Sequence, residues 1–110
     1  QVKVLPPLRY AHFLAMLAGA RLVLTDSGGI QEETSVLGIP CLTFRANTER
    51  PETVTMGTNR LATPAEIEHE ILRILRSTKP SPARIPLWDG HAAPRTAEVI
   101  RQWLGHVRSG

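Results

Sequence analysis

The 110-residue chain has one cysteine, Cys41, so it cannot close an internal disulfide. That excludes a small secreted fold held by cross-links and fits a reducing cytoplasm. Set after Pro40 in PCLTF, the thiol reads as a small buried hydrophobe rather than a nucleophile. Aromatic residues make up 5% of the chain, which leaves Leu, Ile, Val and Ala to build the core. No apolar run approaches the roughly 20 residues that cross a bilayer, so no membrane partner is expected. The opening QVKVLPPLRY carries neither a signal-peptide pattern nor an initiator methionine. A chain that starts on strand-like VKVL without Met is expected to be cut from something longer.

Charge of one sign is not concentrated anywhere. The formal net charge is +3 and the sequence pI about 9.8, but the arginines are scattered (Arg9, Arg21, Arg45, Arg50, Arg60, Arg73). That pattern describes a solvated basic surface better than a nucleic-acid interface. A small anionic ligand is compatible with it. His12, His69, His91 and His106 have no metal-ligand spacing, and no Ser-His-Asp set can be drawn. Neither a metal nor a cofactor is expected, and no catalytic residue is assigned. Internal repeats and low-complexity tracts are absent too.

What is present is an alternation of short apolar runs and helical stripes. VKVL at 2–5 reads as a strand ending at Pro6-Pro7. Tyr10, Phe13, Leu14, Leu17 and Ala18 form one helical stripe closed by Gly19. Leu22 to Leu24 is apolar at every position, as a parallel strand covered on both faces would be. A short helix from Ile30 to Leu37, stopped by Gly38, leads to a third buried strand, Cys41 to Phe44. One helical turn is expected around Pro51 to Met56, with proline at its first position, and a short strand from Asn59 to Ala62. Thr63-Pro64-Ala65-Glu66 reads as a capping box. It starts a helix carrying Ile67, Ile71, Ile74 and Leu75. STKPSPARIP at 77–86 reads as a proline-broken linker. A last helix from Pro94 presents Val99, Ile100, Trp103, Leu104 and Val107. The whole is an α/β, Rossmann-like domain with a mainly parallel sheet. In such sheets ligands bind outside the carboxyl ends of the strands.

TDSGG, residues 25–29, lies at one such end. Asp26 or Ser27 can cap the following helix. Gly28 and Gly29 permit close approach of a ligand and turns closed to other residues. Free N–H groups and the positive dipole end favour a phosphate. Neither GxxxxGK[ST] nor GxGxxG is present, so a plain capped turn accounts for these residues at least as well. Glu32 and Glu33 follow, suited to the dipole at a helix start. A carboxylate there can also accept from the two hydroxyls of a ribose. In NTERPE, residues 47–52, Arg50 can match phosphate oxygens with its fork. For a lone arginine, a salt bridge to Glu49 or Glu52 is the ordinary alternative.

LTDSGGIQEETSVLGIPCLTFRANTERPETVTMGTNRL, with PPLRYAHFLAML before it and IPLWDGHAAPR after it, closely resembles the C-terminal domain of the non-hydrolysing UDP-N-acetylglucosamine 2-epimerases. Pro94 departs from that pattern and is expected to delay the last helix. The resemblance implies a GT-B fold, of which residues 1–110 form one truncated C-terminal, UDP-binding domain. It implies an isomerase that interconverts UDP-N-acetylglucosamine and UDP-N-acetylmannosamine by eliminating UDP and adding it back. Ser27, Gly28 and Gly29 would then hold the diphosphate and Glu33 the ribose. Arg50 would assist at the phosphates, and Phe13 with the PPLRY loop would line the uracil pocket, while Glu32 stays structural. The acid/base carboxylates belong to the family's N-terminal domain, so these 110 residues alone are expected not to turn over; epimerised product from the purified chain would refute that.

Partners implied are a UDP-sugar and the protein's own N-terminal domain, in the cytoplasm, in the supply of polysaccharide precursors. In the doubly wound order 3-2-1-4-5-6, VKVL would be strand 3 and RLVL strand 4, leaving a gap at the sheet's centre. Direct pairing of those two, exchange with another chain, or a non-native fragment are the possible outcomes. Exposed edges favour self-association, and a homo-oligomer, a dimer, is expected. The alternatives are the donor-binding domain of a GT-B glycosyltransferase, a hydrolysing epimerase, or a non-catalytic UDP-binding module.

Overall fold

The computed structural model describes all 110 residues. Three short strands form one parallel sheet in the order β1-β2-β3: Val23–Thr25, Cys41–Thr43 and Asn59–Leu61. Val23, Cys41 and Asn59 share the first rung, and Thr25, Thr43 and Leu61 the last. Between them run α1 (Tyr10–Ala18), ahead of β1, then α2 (Gly28–Leu37) and the short α3 (Pro51–Thr55). After β3 come α4 (Ile67–Arg76) and α5 (Ala92–Ser109). The elements fall within a residue or two of the sequence reading. The α/β class with a parallel sheet is as expected.

β2 is the buried centre, with all three of its residues out of solvent. Ile39, Cys41 and Leu42 are fully enclosed, and Leu17, Ala62 and Ile85 complete a small apolar core. Burial also pushes the Cys41 thiol up, against opposing hydrogen bonds from Thr34 and Thr43. The remaining enclosed side chains are polar: Gln31, Thr34, Ser35, Thr43 and Thr53.

α2 ends in a Schellman motif. Gly38 N–H donates to the Ser35 carbonyl and Ile39 N–H to that of Thr34. Gly38 takes the left-handed φ of 70° that this closure needs. Its missing side chain also admits the 80–82 segment, since a Cβ would sit 2.7 Å from the Pro82 nitrogen. The proline-rich stretch is therefore no free linker: Ala83 N–H donates to the Ser35 carbonyl and Ile85 is buried.

Four expectations are corrected. VKVL forms no strand; Val2 and Val4 are 91% and 93% exposed, and the segment pairs with nothing. A strand persists only through ladder bonds, and direct pairing with β1 does not occur. β1 is thus the sheet's open edge, with Leu24 half exposed. α5 begins at Ala92, so Pro94 does not delay it. Proline sits there in the first turn, where the N–H has no partner within the helix. The apolar face of α5 is uncovered, and the helix has no buried residue. In the capping box only the carboxylate half forms: Glu66 accepts from Thr63 N–H at 3.0 Å and from its hydroxyl at 2.7 Å. α4 starts just after it, and its most buried residue is Glu70, bridged at 3.0 Å to both Arg60 and Arg73.

Candidate functional site

The carboxyl ends of β1 and β2 open onto two loops, 25–29 and 44–50, and those loops carry the polar residues the sequence singles out. Thr25 closes β1 and its hydroxyl accepts from Ser27 N–H at 3.0 Å. Ser27 is extended (φ −84°, ψ 134°) in the cap position of α2, but its side chain makes no cap bond. Asp26 makes none either, so the expected side-chain cap is corrected: Thr25 fixes the turn and leaves the first helical N–H groups open. No side chain neutralises the positive end of the dipole there.

Gly28 and Gly29 hold ordinary negative φ, so the turn does not require glycine for its backbone. A Cβ built on either one meets no atom within 4 Å. Neither packing nor strain within the chain therefore asks for glycine. What the two residues preserve is empty space over exposed N–H groups, which is the shape of an anion cradle.

Glu32 and Glu33 lie in the second turn of α2, not the first. About 100° apart around the helix, they diverge. Glu32 reaches Arg50, with Oε1 2.6 Å from Nε and both side chains about two-fifths exposed. The Nε–H points away from any acceptor, so the contact is an ion pair and not an aligned hydrogen bond. At that exposure it is worth no more than about 1 kcal/mol. The partners foreseen for Arg50 are otherwise occupied or distant: Glu49 pairs with Arg45 at 2.9 Å, and Arg50 Nη1 makes only a long 3.4 Å donation to the Glu49 carbonyl. Glu32 is thus the carboxylate that meets Arg50, a contact the sequence reading did not foresee.

Glu33 lines an open cleft of about 520 Å³ walled by Tyr10, Leu14, Val36 and Trp88, and Glu32 stands at the same cleft. Its hydrogen bond and then its negative charge push the Tyr10 phenol up. Phe13 is half buried in a separate apolar hollow with Met16, Leu22, Val23 and Ile30. Ser27, Gly28 and Gly29 thus open α2, and Arg50 meets the same helix one turn on, at Glu32. Glu33 stands beside the end of the PPLRY loop, and Phe13 is not in its cleft.

Beneath these loops lie functional candidates that sequence reading missed, Gln31 and Asn59. Gln31 is fully enclosed and Asn59 is 5% exposed. The only signal for Gln31 was its place between the glycines and the glutamates; Asn59 gave none.

A parallel α/β sheet with a glycine turn at its carboxyl edge and an arginine loop beside it is Rossmann-like architecture, in which ligands bind at that edge. The family model described as UDP-N-acetylglucosamine 2-epimerase matches residues 1–101, and the chain belongs to that family. The UDP-N-acetylglucosamine 2-epimerase of Escherichia coli K12 is 42% identical over 106 residues, covering 91% of this chain and 28% of that protein. That of Bacillus subtilis 168 is 39% identical over 112 residues, covering 96% of this chain and 30% of the relative. The crystal structure of the Methanocaldococcus jannaschii enzyme in complex with UDP-GlcNAc and UDP matches with a TM-score of 0.80 at 35% identity, over 91% of this chain and 28% of that one. The chain spans under a third of the length of these relatives. The structural neighbours have the GT-B fold, the class expected from the sequence.

Proposed function

We propose that residues 1–110 are the UDP-gripping, C-terminal part of a UDP-N-acetylglucosamine 2-epimerase. The observation that carries this reading is the open cradle at Gly28-Gly29 beside Arg50, in a chain whose structural neighbour holds UDP-GlcNAc and UDP. In the reaction UDP leaves the sugar, a 2-acetamidoglucal remains, and UDP returns after the configuration at C2 has changed. Negative charge grows on the departing diphosphate. The open N–H groups of Gly28 and Gly29 and the guanidinium of Arg50 would stabilise it, a term that electrostatic preorganisation makes large. Glu33 accepts from the ribose hydroxyls once Tyr10 gives way, and the PPLRY loop beside it lines the uracil side. Phe13, in its separate hollow, would have to approach for the uracil role the resemblance gives it.

The proton at C2 needs an acid and a base within hydrogen-bond reach. No residue of this chain is assigned that work, which belongs to an N-terminal domain facing the cradle across a cleft. The uncovered apolar face of α5 and the open edge of β1 are surfaces such a domain, or a second copy, would bury.

The test is calorimetry with UDP and uridine on the full polypeptide that carries these residues. Arg50→Ala should weaken UDP about tenfold or more, the scale of one hydrogen bond to a charged group, and leave uridine unchanged. Glu33→Ala should weaken both. UDP binding untouched by Glu33→Ala would remove the ribose assignment, and a wild-type protein that ignores UDP would remove the whole reading.

A further inference from the structure

Gln31 and Asn59 sit at the centre of a closed circuit of hydrogen bonds under the candidate site. Gln31 Nε2 donates to the Ser27 carbonyl at 3.2 Å, holding the glycine turn from below. Its Oε1 accepts from the Thr48 hydroxyl at 2.6 Å and from Asn59 Nδ2 at 2.9 Å. Asn59 Nδ2 also donates to Thr53 Oγ1 at 3.0 Å, and Asn59 Oδ1 accepts from the Thr43 hydroxyl at 2.5 Å. The circuit returns to the arginine loop twice. Arg50 N–H donates to Thr48 Oγ1 at 3.0 Å, and the Thr53 hydroxyl donates to the Arg50 carbonyl at 2.7 Å.

Every polar group of the two amides that the circuit touches has a defined partner, which fixes their orientation. Gln31 spends both acceptor sites and Asn59 both amide hydrogens. A buried network of this kind is rigid when complete and costly when broken. Here it joins three segments at one buried point: the turn after β1, the start of β3, and the loop that ends at Arg50.

We propose that Gln31, with Thr48 and Asn59, is a positioning device that sets the separation between the anion cradle at Ser27–Gly29 and the backbone of Arg50. It makes the two halves of the diphosphate grip one preformed unit. The residues do not touch the ligand; they act through the Ser27 carbonyl and through both backbone groups of Arg50. This rests on the UDP-binding reading above. A preformed grip loses no ordering entropy when the diphosphate arrives, and its cost is a polar core where an apolar one would be simpler.

The experiment compares UDP and uridine affinities in the full polypeptide for Thr48→Val, Thr48→Ser and Gln31→Met. Thr48 lies on a half-buried loop, so its variants keep the fold measurable if Gln31→Met does not. Thr48→Val should weaken UDP about tenfold, the scale of one oriented hydrogen bond to a charged ligand, with uridine changed less than about twofold. Thr48→Ser restores the hydroxyl and should restore UDP affinity. Combined with Arg50→Ala, Thr48→Val should add nothing further, because it acts through that residue. An unchanged UDP-to-uridine ratio in Thr48→Val, in a protein whose wild type binds UDP, overturns the positioning role alone. A wild type that does not bind UDP overturns this role together with the reading on which it rests.

Discussion

Gly28 and Gly29 are the residues whose chemistry is least explained by the fold and most by a ligand. Their φ values are ordinary and a Cβ on either meets nothing within the chain. Stability and binding should therefore separate there. The double variant Gly28→Ala/Gly29→Ala should hold or raise the unfolding free energy, by up to about 1 kcal/mol, because both residues lie in α2 and alanine suits a helix better than glycine. Its UDP affinity should fall about tenfold or more as side chains intrude on the phosphate bonds. Thermal unfolding beside calorimetry checks both; a stable variant with intact UDP binding would show that the cradle is empty by accident. The glycines were legible because they follow an apolar run directly. Gln31, Glu32, Thr48 and Asn59 were not, for a common reason. Asn59 lies 28 residues from Gln31 and Arg50 lies 18 from Glu32, and no local period announces a polar partner at that distance. A lone arginine beside two glutamates invites a local pairing, and the tertiary partner across the loop won instead.

At the scale of elements, periodicity found every helix and each strand that has a neighbour, because those patterns report burial on one face. It misled where burial depends on what lies beside the element. VKVL has the composition of a strand and no ladder to join, and α5 has an apolar stripe and nothing against it. α5 is anchored instead at its start. Asp89 Oδ1 accepts from His91 N–H at 2.9 Å, ahead of the helix, and the carboxylate pairs with Arg95 through both oxygens at 2.9 and 3.0 Å. Arg95 also donates to the carbonyl of Leu87, whose φ is 69°, so one guanidinium ties the WDG turn to the first turn of α5. The Arg95 hydrogen bonds first, then that from His91, hold the Asp89 carboxyl down from 3.8 to about 2. A folded pKa below the unfolded one stabilises the folded state above the unfolded pKa. That stabilisation is complete above about pH 4 and is lost as pH falls through 2. The Asp89 carboxyl should titrate near 2 by NMR, with the helix start loosening in step, and Arg95→Gln should return the midpoint toward 3.8. A native midpoint already near 3.8 would show that the turn is not held this way.

For the molecule as a whole, the chain is extended and leaves much apolar surface uncovered. Its radius of gyration is 17.9 Å and its extents are 64 × 29 × 24 Å, where a compact domain of this size has a radius near 13 Å. The excess is apolar surface left standing. Val99, Trp103 and Val107 on α5 are 57–65% exposed, and the edge of β1 offers unpaired backbone groups beside Leu24. A contiguous apolar face of that kind is seldom left bare on a monomer, and an open strand edge recruits another strand. In isolation, the 110-residue chain should therefore associate, with a scattering mass well above its own 12.1 kDa. The two surfaces can be told apart. Trp103→Arg with Val107→Glu charges the helix face and leaves the strand edge intact, so a return to monomer assigns association to α5. Persistence of the oligomer assigns it to the edge of β1, where exchange of a strand with a second copy would fill the place that VKVL leaves open. A wild-type chain that scatters as a stable monomer would overturn both, and would mean that a fold with six buried apolar residues stands on its polar network more than on its core.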